Sequence, residues 1–475
     1  RHFYLSAPLR PPLLPLIYSF RPTPGSSSPL APSNYCHLLL DFNCCANPLF
    51  PGVLGRMKKY ISGLWSNQLV RGTTILFAGS TLVNLGGFFY HLILARLLGP
   101  VEYGSLAALL GLTYLVSIPI GSMDLLVTKM VSSFESSHLL SHTRSFLFYV
   151  FNIVCKISFV AFPILVLSTG KIQDFLHLSS PWGIIFTWIS VILWLVITLF
   201  RSALKGLVKF EGLVTSQIIE MAFRVILSVG LIVFVGKSYL NAQIGTIVAS
   251  LIGLGVALYF LKPLLKVPST KFEHHKWPLK SLGLTSFLLA ASYSSMYSMD
   301  IILVKHFFSE HLAGVYAVLA TAGKIIFFAE SSVASSIIPI VSRKSDKPWT
   351  ARKDLLTLIL LSSLISIPAL IIYWLAPNLV INLIFTSQFS EASPLLFGMG
   401  TALMFYSLAN ISSSFLLSIG KNKMAVISVI ALVTEILAIL VFHSSLKQIV
   451  VSLNIVFGIL AVVLIVYSFH ATRKT

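Results

Sequence analysis

Apolar residues along this chain are not spaced at the period of a surface helix or strand. From residue 72 onward they gather into long runs separated by short polar connections. At 1.5 Å per residue, about 20 apolar residues carry a helix across a ~30 Å hydrocarbon core. Twelve such spans are predicted, near 72–98, 103–131, 145–169, 181–203, 213–235, 239–261, 281–304, 311–340, 355–376, 392–419, 424–443 and 447–470. The runs 239–261, 355–376 and 392–419 contain no Asp, Glu, Lys or Arg. Unbroken runs, rather than strict alternation, indicate helices. The expected fold class is all-α: a polytopic membrane protein of about twelve transmembrane helices.

Composition agrees. Of 475 residues, 56% are hydrophobic and 10% charged, and the mean hydropathy is +0.89. That leaves too little charge to cover a soluble protein of this length.

Residues 1–56 break the pattern. They hold ten of the 22 prolines and, with Cys36, Cys44 and Cys45, three of the four cysteines. Pro11, Pro12 and Pro15 interrupt their one apolar stretch, which makes it a poor helix and a poor signal-peptide core. The expectation is a disordered leader, or upstream sequence translated ahead of a start at Met57-Lys58-Lys59. No disulfide framework is implied, and Cys155 reads as a packing residue within a membrane helix.

Charge orients the spans. Assigned to the nearer membrane face, 22 basic residues fall on the side of both termini and the even-numbered loops, and five (Arg96, Lys171, Lys237, Lys305 and Lys447) on the other. By the positive-inside rule both termini are cytoplasmic. This asymmetry also explains the formal net charge of +19, which suits anionic lipid headgroups and calls for no nucleic acid.

The longest basic connection divides the spans six and six. The domains expected are 1–56, a six-helix lobe at 57–262, a basic linker at 263–280 and a second six-helix lobe at 281–475. The lobes echo one another. ARLLGPVEYGSLAAL (95–109) matches VKHFFSEHLAGVYAVL (304–319), with Gly104 on Gly314 and Ala107 on Ala317 at an offset of 210, and Arg96 and Lys305 close to register. LKGLVKF (204–210) corresponds to SIGKNK (418–423), and Glu220 to Glu435. Six helices per half preserve orientation, so the repeat is parallel, with a cavity expected between two pseudo-symmetric lobes.

The segment LILARLLGPVEYGSLAALLGL, followed by Asp124, resembles the polysaccharide-export (Wzx-like) flippases of the multidrug/oligosaccharidyl-lipid/polysaccharide exporter (MOP) superfamily. The resemblance extends from about residue 60 to 470, with A-R-x-L-G-P-x-x-Y-G as its most specific piece. It implies a MATE-like fold and alternating-access transport of undecaprenyl-linked sugar units across a bacterial or archaeal cytoplasmic membrane. It implies as partners that lipid-linked oligosaccharide, the bilayer, and the glycosyltransferases and polymerase of polysaccharide assembly. Catalytic residues and cofactors are not expected.

Charges inside the bilayer are the informative positions, since each costs roughly 2.5–3.5 kcal/mol at a helix centre by insertion scales. A lipid pyrophosphate is anionic, and fixed cations offset its lost hydration. The substrate-binding candidates are Arg224 and Lys324, near mid-membrane in opposite lobes, with Arg96, Lys129 and Lys305 as entry or exit contacts. Against this, Glu220 and Arg224 are spaced i, i+4, acid first, which also suits a self-neutralising pair. Arg96 and Lys305 also suit snorkelling anchors, and Lys156 a structural pair. Glu220, Glu330, Glu435, Asp124 and Asp300 are candidate counter-ions or ion-coupling groups, because burial disfavours a bare carboxylate. Ser292–Ser298, Tyr406–Ser414 and the Asn84–His91 segment supply polar groups for a sugar path or for close helix packing. Pro119, Pro163 and Pro368 would bend their helices.

Other classes fit less well. A multidrug or cation antiporter of the same fold calls for a carboxylate in the first span, and residues 72–95 have none. A glycosyltransferase or polymerase needs larger outer loops. A lipid II flippase resembling this chain has fourteen helices. No G-x-x-x-x-G-K-S/T loop occurs, no metal-ligand cluster appears, and His274-His275 reads as a solvated loop pair among lysines.

Overall fold

A computed structural model describes residues 68–137, 139–268, 284–341 and 348–472. The leader 1–56, most of the basic linker, His274-His275, Arg343, Lys344 and Lys347 lie outside the described residues.

The first half comprises α1 (Gln68–Val116), α2 (Ile118–Ser136), α3 (Leu140–Leu167), α4 (Thr169–Leu176), α5 (Trp182–Gly206), α6 (Phe210–Phe234) and α7 (Tyr239–Leu265). The second comprises α8 (Leu284–Met296), α9 (Met299–Phe307), α10 (Glu310–Val341), α11 (Pro348–Leu375), α12 (Pro377–Ile384), a 3-10 segment (Ser387–Leu395), α13 (Leu396–Ser418), α14 (Lys423–Val441) and α15 (Leu446–Ala471). Among the described residues every element is helical.

Among the described residues eleven helices are long and apolar enough to cross a membrane, and one of them, Thr74–Val116, runs for 43 residues. A straight helix of that length would measure about 64 Å, twice a hydrocarbon core. It is not straight. Gly99, followed by Pro100, takes φ +75°, ψ −179°, a left-handed conformation that glycine adopts without a Cβ clash. The arms fold back on each other: His91 Nδ1 and Tyr103 Oη are 3.2 Å apart although twelve residues separate them in sequence. Two crossings therefore share α1, and twelve crossings result. Its second arm continues into α2 after a break at Ser117, two residues before Pro119. Pro163 and Pro368 lie inside continuous helices.

The repeat reaches beyond the sequence echo. Each half carries an eight-residue helix after its third crossing, α4 and α12, absent from the predicted spans. The loops after α5 and α13 close in the same way: Lys209 N–H donates to Leu204 O and Lys421 N–H to Leu416 O, both at 2.9 Å. The left-handed position in these loops is Gly420 in the second half and Val208 in the first. A β-branched residue there carries a strain of roughly 1–2 kcal/mol.

Within the first half, the first arm of α1 packs on α6 through glycines seven residues apart. Gly72, Gly79 and Gly86 face Phe210, Val214 and Met221, each too close for a Cβ. Small residues let membrane helices approach where lipid supplies no net hydrophobic drive. The exterior is apolar, with Phe159, Leu167 and Phe234 more than 80% exposed. Cys155 lies on this exposed surface of α3 rather than in a packed interior. Leu64–Thr475 forms one compact unit, its halves joined where α1 meets α9 and α10.

Candidate functional site

The first half encloses a cavity of about 210 Å³ whose lining includes Arg201, Gln217, Glu220, Arg224, Tyr114 and Trp194. Glu220 projects from α6 and is buried. Its Oε2 lies 2.7 Å from Arg201 on α5, its Oε1 pairs with Arg224 one turn along α6, and Oε1 also accepts from Ser250 Oγ at 3.1 Å. Arg201 is held further by Ser216 Oγ, at 3.0 Å from Nε and 2.9 Å from Nη2. Gly253 on α7 makes room for the pair: a Cβ there would lie 2.9 Å from that of Glu220 and 3.2 Å from Arg201 Nη2.

The i, i+4 pair is thus not self-contained. One carboxylate holds two guanidinium groups, so the cluster carries an excess of one positive charge, and Arg224 is the partner open to the cavity, its side chain 31% exposed. Arg201 escaped sequence reading because span limits of 181–203 place it at a helix end. Helix α5 runs on to Gly206, which sets Arg201 more than a turn inside.

The second half is arranged differently. The crossing at 281–304 is broken between α8 and α9, and the break frees the carbonyl of Tyr297, which accepts from Lys324 Nζ at 2.9 Å. The same ammonium stands 3.7 Å from the centroid of the Tyr297 ring, a cation–π contact. Lys324 lies within electrostatic reach of Asp300 and Glu435. Asp300 accepts from Tyr316 Oη at 2.8 Å. Glu435 is fully buried, and both its oxygens lack hydrogen-bond partners. One lysine thus stands within electrostatic reach of two acids, while its direct contacts are to Tyr297.

The clusters meet through aromatic and polar side chains. Tyr114, on the wall of the cavity, packs edge-on against Tyr297 at 5.8 Å. Tyr103 Oη bonds His91 Nδ1 and, across the halves, Thr321 Oγ1 at 3.1 Å. His91 lies within electrostatic reach of both Arg224 and Lys324.

The remaining predicted residues lie elsewhere. Asp124 is bonded by Ser202 Oγ at 2.5 Å and Lys205 Nζ at 2.7 Å. Lys129 and Lys156 are exposed on α2 and α3. Lys305 is 1% exposed, and its Nζ lacks a hydrogen-bond partner. Arg96 donates to the carbonyls of Leu383 and Ile384 (Nε to Ile384 O, 2.9 Å), capping α12 of the opposite half. His306 stands 210 positions later and does the reciprocal thing: its Nδ1 is 2.8 Å from Phe175 O at the end of α4. A carbonyl only accepts, so that nitrogen donates. Glu330 sits between α10, α11 and α13, with Oε2 2.5 Å from Ser362 Oγ. Among the described residues no three His, Cys, Asp or Glu side chains converge to hold a metal.

Among the described residues, twelve crossings in two matched halves, with charged side chains gathered in the interior, define a polytopic α-helical membrane protein. The chain belongs to the polysaccharide biosynthesis protein family, whose model matches residues 93–394. No curated protein matches its sequence. Its fold is similar to the inward-facing conformation of a multidrug resistance MATE family transporter of the MOP superfamily, with TM-score 0.68 and 13% identity over 83% of this chain and 96% of that one. It is also similar to the lipid II flippase MurJ in an inward closed conformation, with TM-score 0.63 and 17% identity over 84% and 87%. A third similar structure is the eukaryotic MATE transporter AtDTX14, with TM-score 0.59 and 15% identity over 86% and 99%.

Proposed function

We propose that this membrane protein is a flippase for undecaprenyl-linked oligosaccharides, moving them across a bacterial or archaeal cytoplasmic membrane by alternating access. The observation that carries the reading is the pair of guanidinium groups on Glu220 inside the first-half cavity. Arg binds phosphate oxygens in a planar fork. Arg224, open to the cavity and backed by Arg201, would take a phosphate of the carrier, while the sugars occupy the space between the halves. A cavity of about 210 Å³ suits a phosphate group with water and not a sugar chain. Family membership supports a role in polysaccharide assembly, and the basic-residue asymmetry supports cytoplasmic termini.

Deleting the gene and analysing lipid-linked intermediates tests this. The expected result is oligosaccharide-lipid accumulating on the cytoplasmic leaflet, reversed by the intact gene and not by an R201A/R224A variant of equal abundance. No accumulation would refute the assignment.

The Asp300–Glu435–Lys324 cluster favours a second reading, a cation antiporter, because it gathers two carboxyl groups around one lysine in the second half. The two separate on phenotype: an antiporter predicts sensitivity to cationic drugs in the deletion strain and unchanged lipid-linked intermediates.

A further inference from the structure

The strained Val208 borders a further cavity, of about 580 Å³, where α6 begins and α7 ends. Ile75 of α1, Val208 and Lys209 of the loop before α6, Phe210 of α6, and Phe260 and Pro263 of α7 form its wall. The volume falls within the roughly 300–1,000 Å³ of small-molecule sites. It shares no lining residue with the cavity that holds Arg201 and Arg224. Val208 is 40% exposed, so the cavity opens on the apolar exterior.

Two features give it a chemistry. Val208 holds φ +57°, whereas the matching loop of the second half has Gly420 at φ +73°. Glycine at 208 would relieve the strain but would also strip the isopropyl group from the wall, and strained backbone gathers at ligand clamps. The second feature is Lys209, which is half-buried. Among the described residues no acid pairs with its ammonium. Glu211, the acid on the same wall, already has a partner. Lys262, next to Pro263 in the last turn of α7, brings a second cation to this end of the helices.

We propose that this cavity binds one anionic glycerophospholipid of the surrounding leaflet, with an acyl chain between Phe210 and Phe260 and the phosphate on Lys209. An aromatic and aliphatic wall beside an unneutralised ammonium fits an amphiphile with one anionic end. Lysine meets phosphate as a point charge, and basic residues at a membrane surface select anionic headgroups. The site lies at the end of the first arm of α1 away from the bend at Gly99, where Gly72 meets Phe210. The bound lipid therefore braces that arm against α6 and α7. The inference is independent of the substrate reading, and its test uses no glycan.

Native mass spectrometry of the purified full chain, titrated with phosphatidylglycerol or with phosphatidylcholine, measures it, together with the thermal midpoint in the same mixtures. The first phosphatidylglycerol should bind about fivefold more tightly than phosphatidylcholine, the scale of one lysine at an anionic headgroup, and should raise the midpoint. K209A should lose that preference, and V208G should bind about threefold more weakly or worse. Without lipid, V208G should keep or exceed the wild-type midpoint, since it relieves strain. K421A, in the matching loop, should bind as wild type does. Equal binding of the two lipids by wild type, or wild-type binding by either K209A or V208G, overturns the proposal. So does loss of binding in R201A/R224A, since the lipid then occupies the other cavity.

Discussion

Gly104 and Gly314 meet backbone against backbone: a Cβ on Gly104 would lie 2.7 Å from the Gly314 nitrogen. They occupy matching positions of the repeat, 210 residues apart. Equivalent residues of a twofold repeat touch where its axis passes, so this contact lies at the pseudo-twofold axis relating the halves. Around it the halves exchange caps, Arg96 onto α12 and His306 onto α4.

Gly314→Ala cannot be absorbed by side-chain movement, because the new Cβ would sit 1.8 Å from Pro100 O. The helices must separate, at a cost of about 1–3 kcal/mol or more by overpacking. Thermal unfolding in detergent should show a lowered midpoint for G314A. Gly87→Ala, with nothing within 4 Å of the added methyl, serves as control and should leave the midpoint unchanged or raised.

The reciprocal caps should act alike. Arg96→Ala and His306→Ala each release carbonyls at the end of a short helix of the opposite half. Spin labels placed in α4 and α12 should report widened distance distributions to the opposite half for either variant, and wider still for both together. Unchanged distributions would mean that the caps do not hold the seam.

Lys324 stands within electrostatic reach of two acids. Replacing it with Met removes that cation and leaves the Tyr297 carbonyl without its donor, a loss of about 1–3 kcal/mol. Adding Glu435→Gln removes one of the stranded carboxylates. Stability of K324M/E435Q above that of K324M, with a coupling energy above about 0.5 kcal/mol in a double-mutant cycle, is the expected outcome.

Much of this architecture was legible in the sequence. Crossings announce themselves through apolar length, and the repeat through the Gly104/Gly314 and Glu220/Glu435 correspondences. The register was one residue off at the helix ends, where His306 rather than Lys305 does the work of Arg96. The short helices α4 and α12 were missed because eight amphipathic residues fall below any spanning length. Site geometry was less legible. An i, i+4 Glu–Arg pair reads as complete in one dimension, and only the packing of α5 on α6 brings Arg201 to the other oxygen. Nor does periodicity show that the 281–304 crossing breaks at Tyr297 and frees a carbonyl for Lys324.

In the proposed function Arg201 and Arg224 draw the anionic head of a lipid carrier into the first half. The most direct test is reconstitution in vesicles with a fluorescent undecaprenyl-pyrophosphate oligosaccharide, following its transfer between leaflets. Wild type should translocate it. R201A and R224A should each lose roughly tenfold or more, the scale of one charge-assisted contact, and R224K should recover part of the rate. Transfer at the wild-type rate by R201A/R224A would contradict the account.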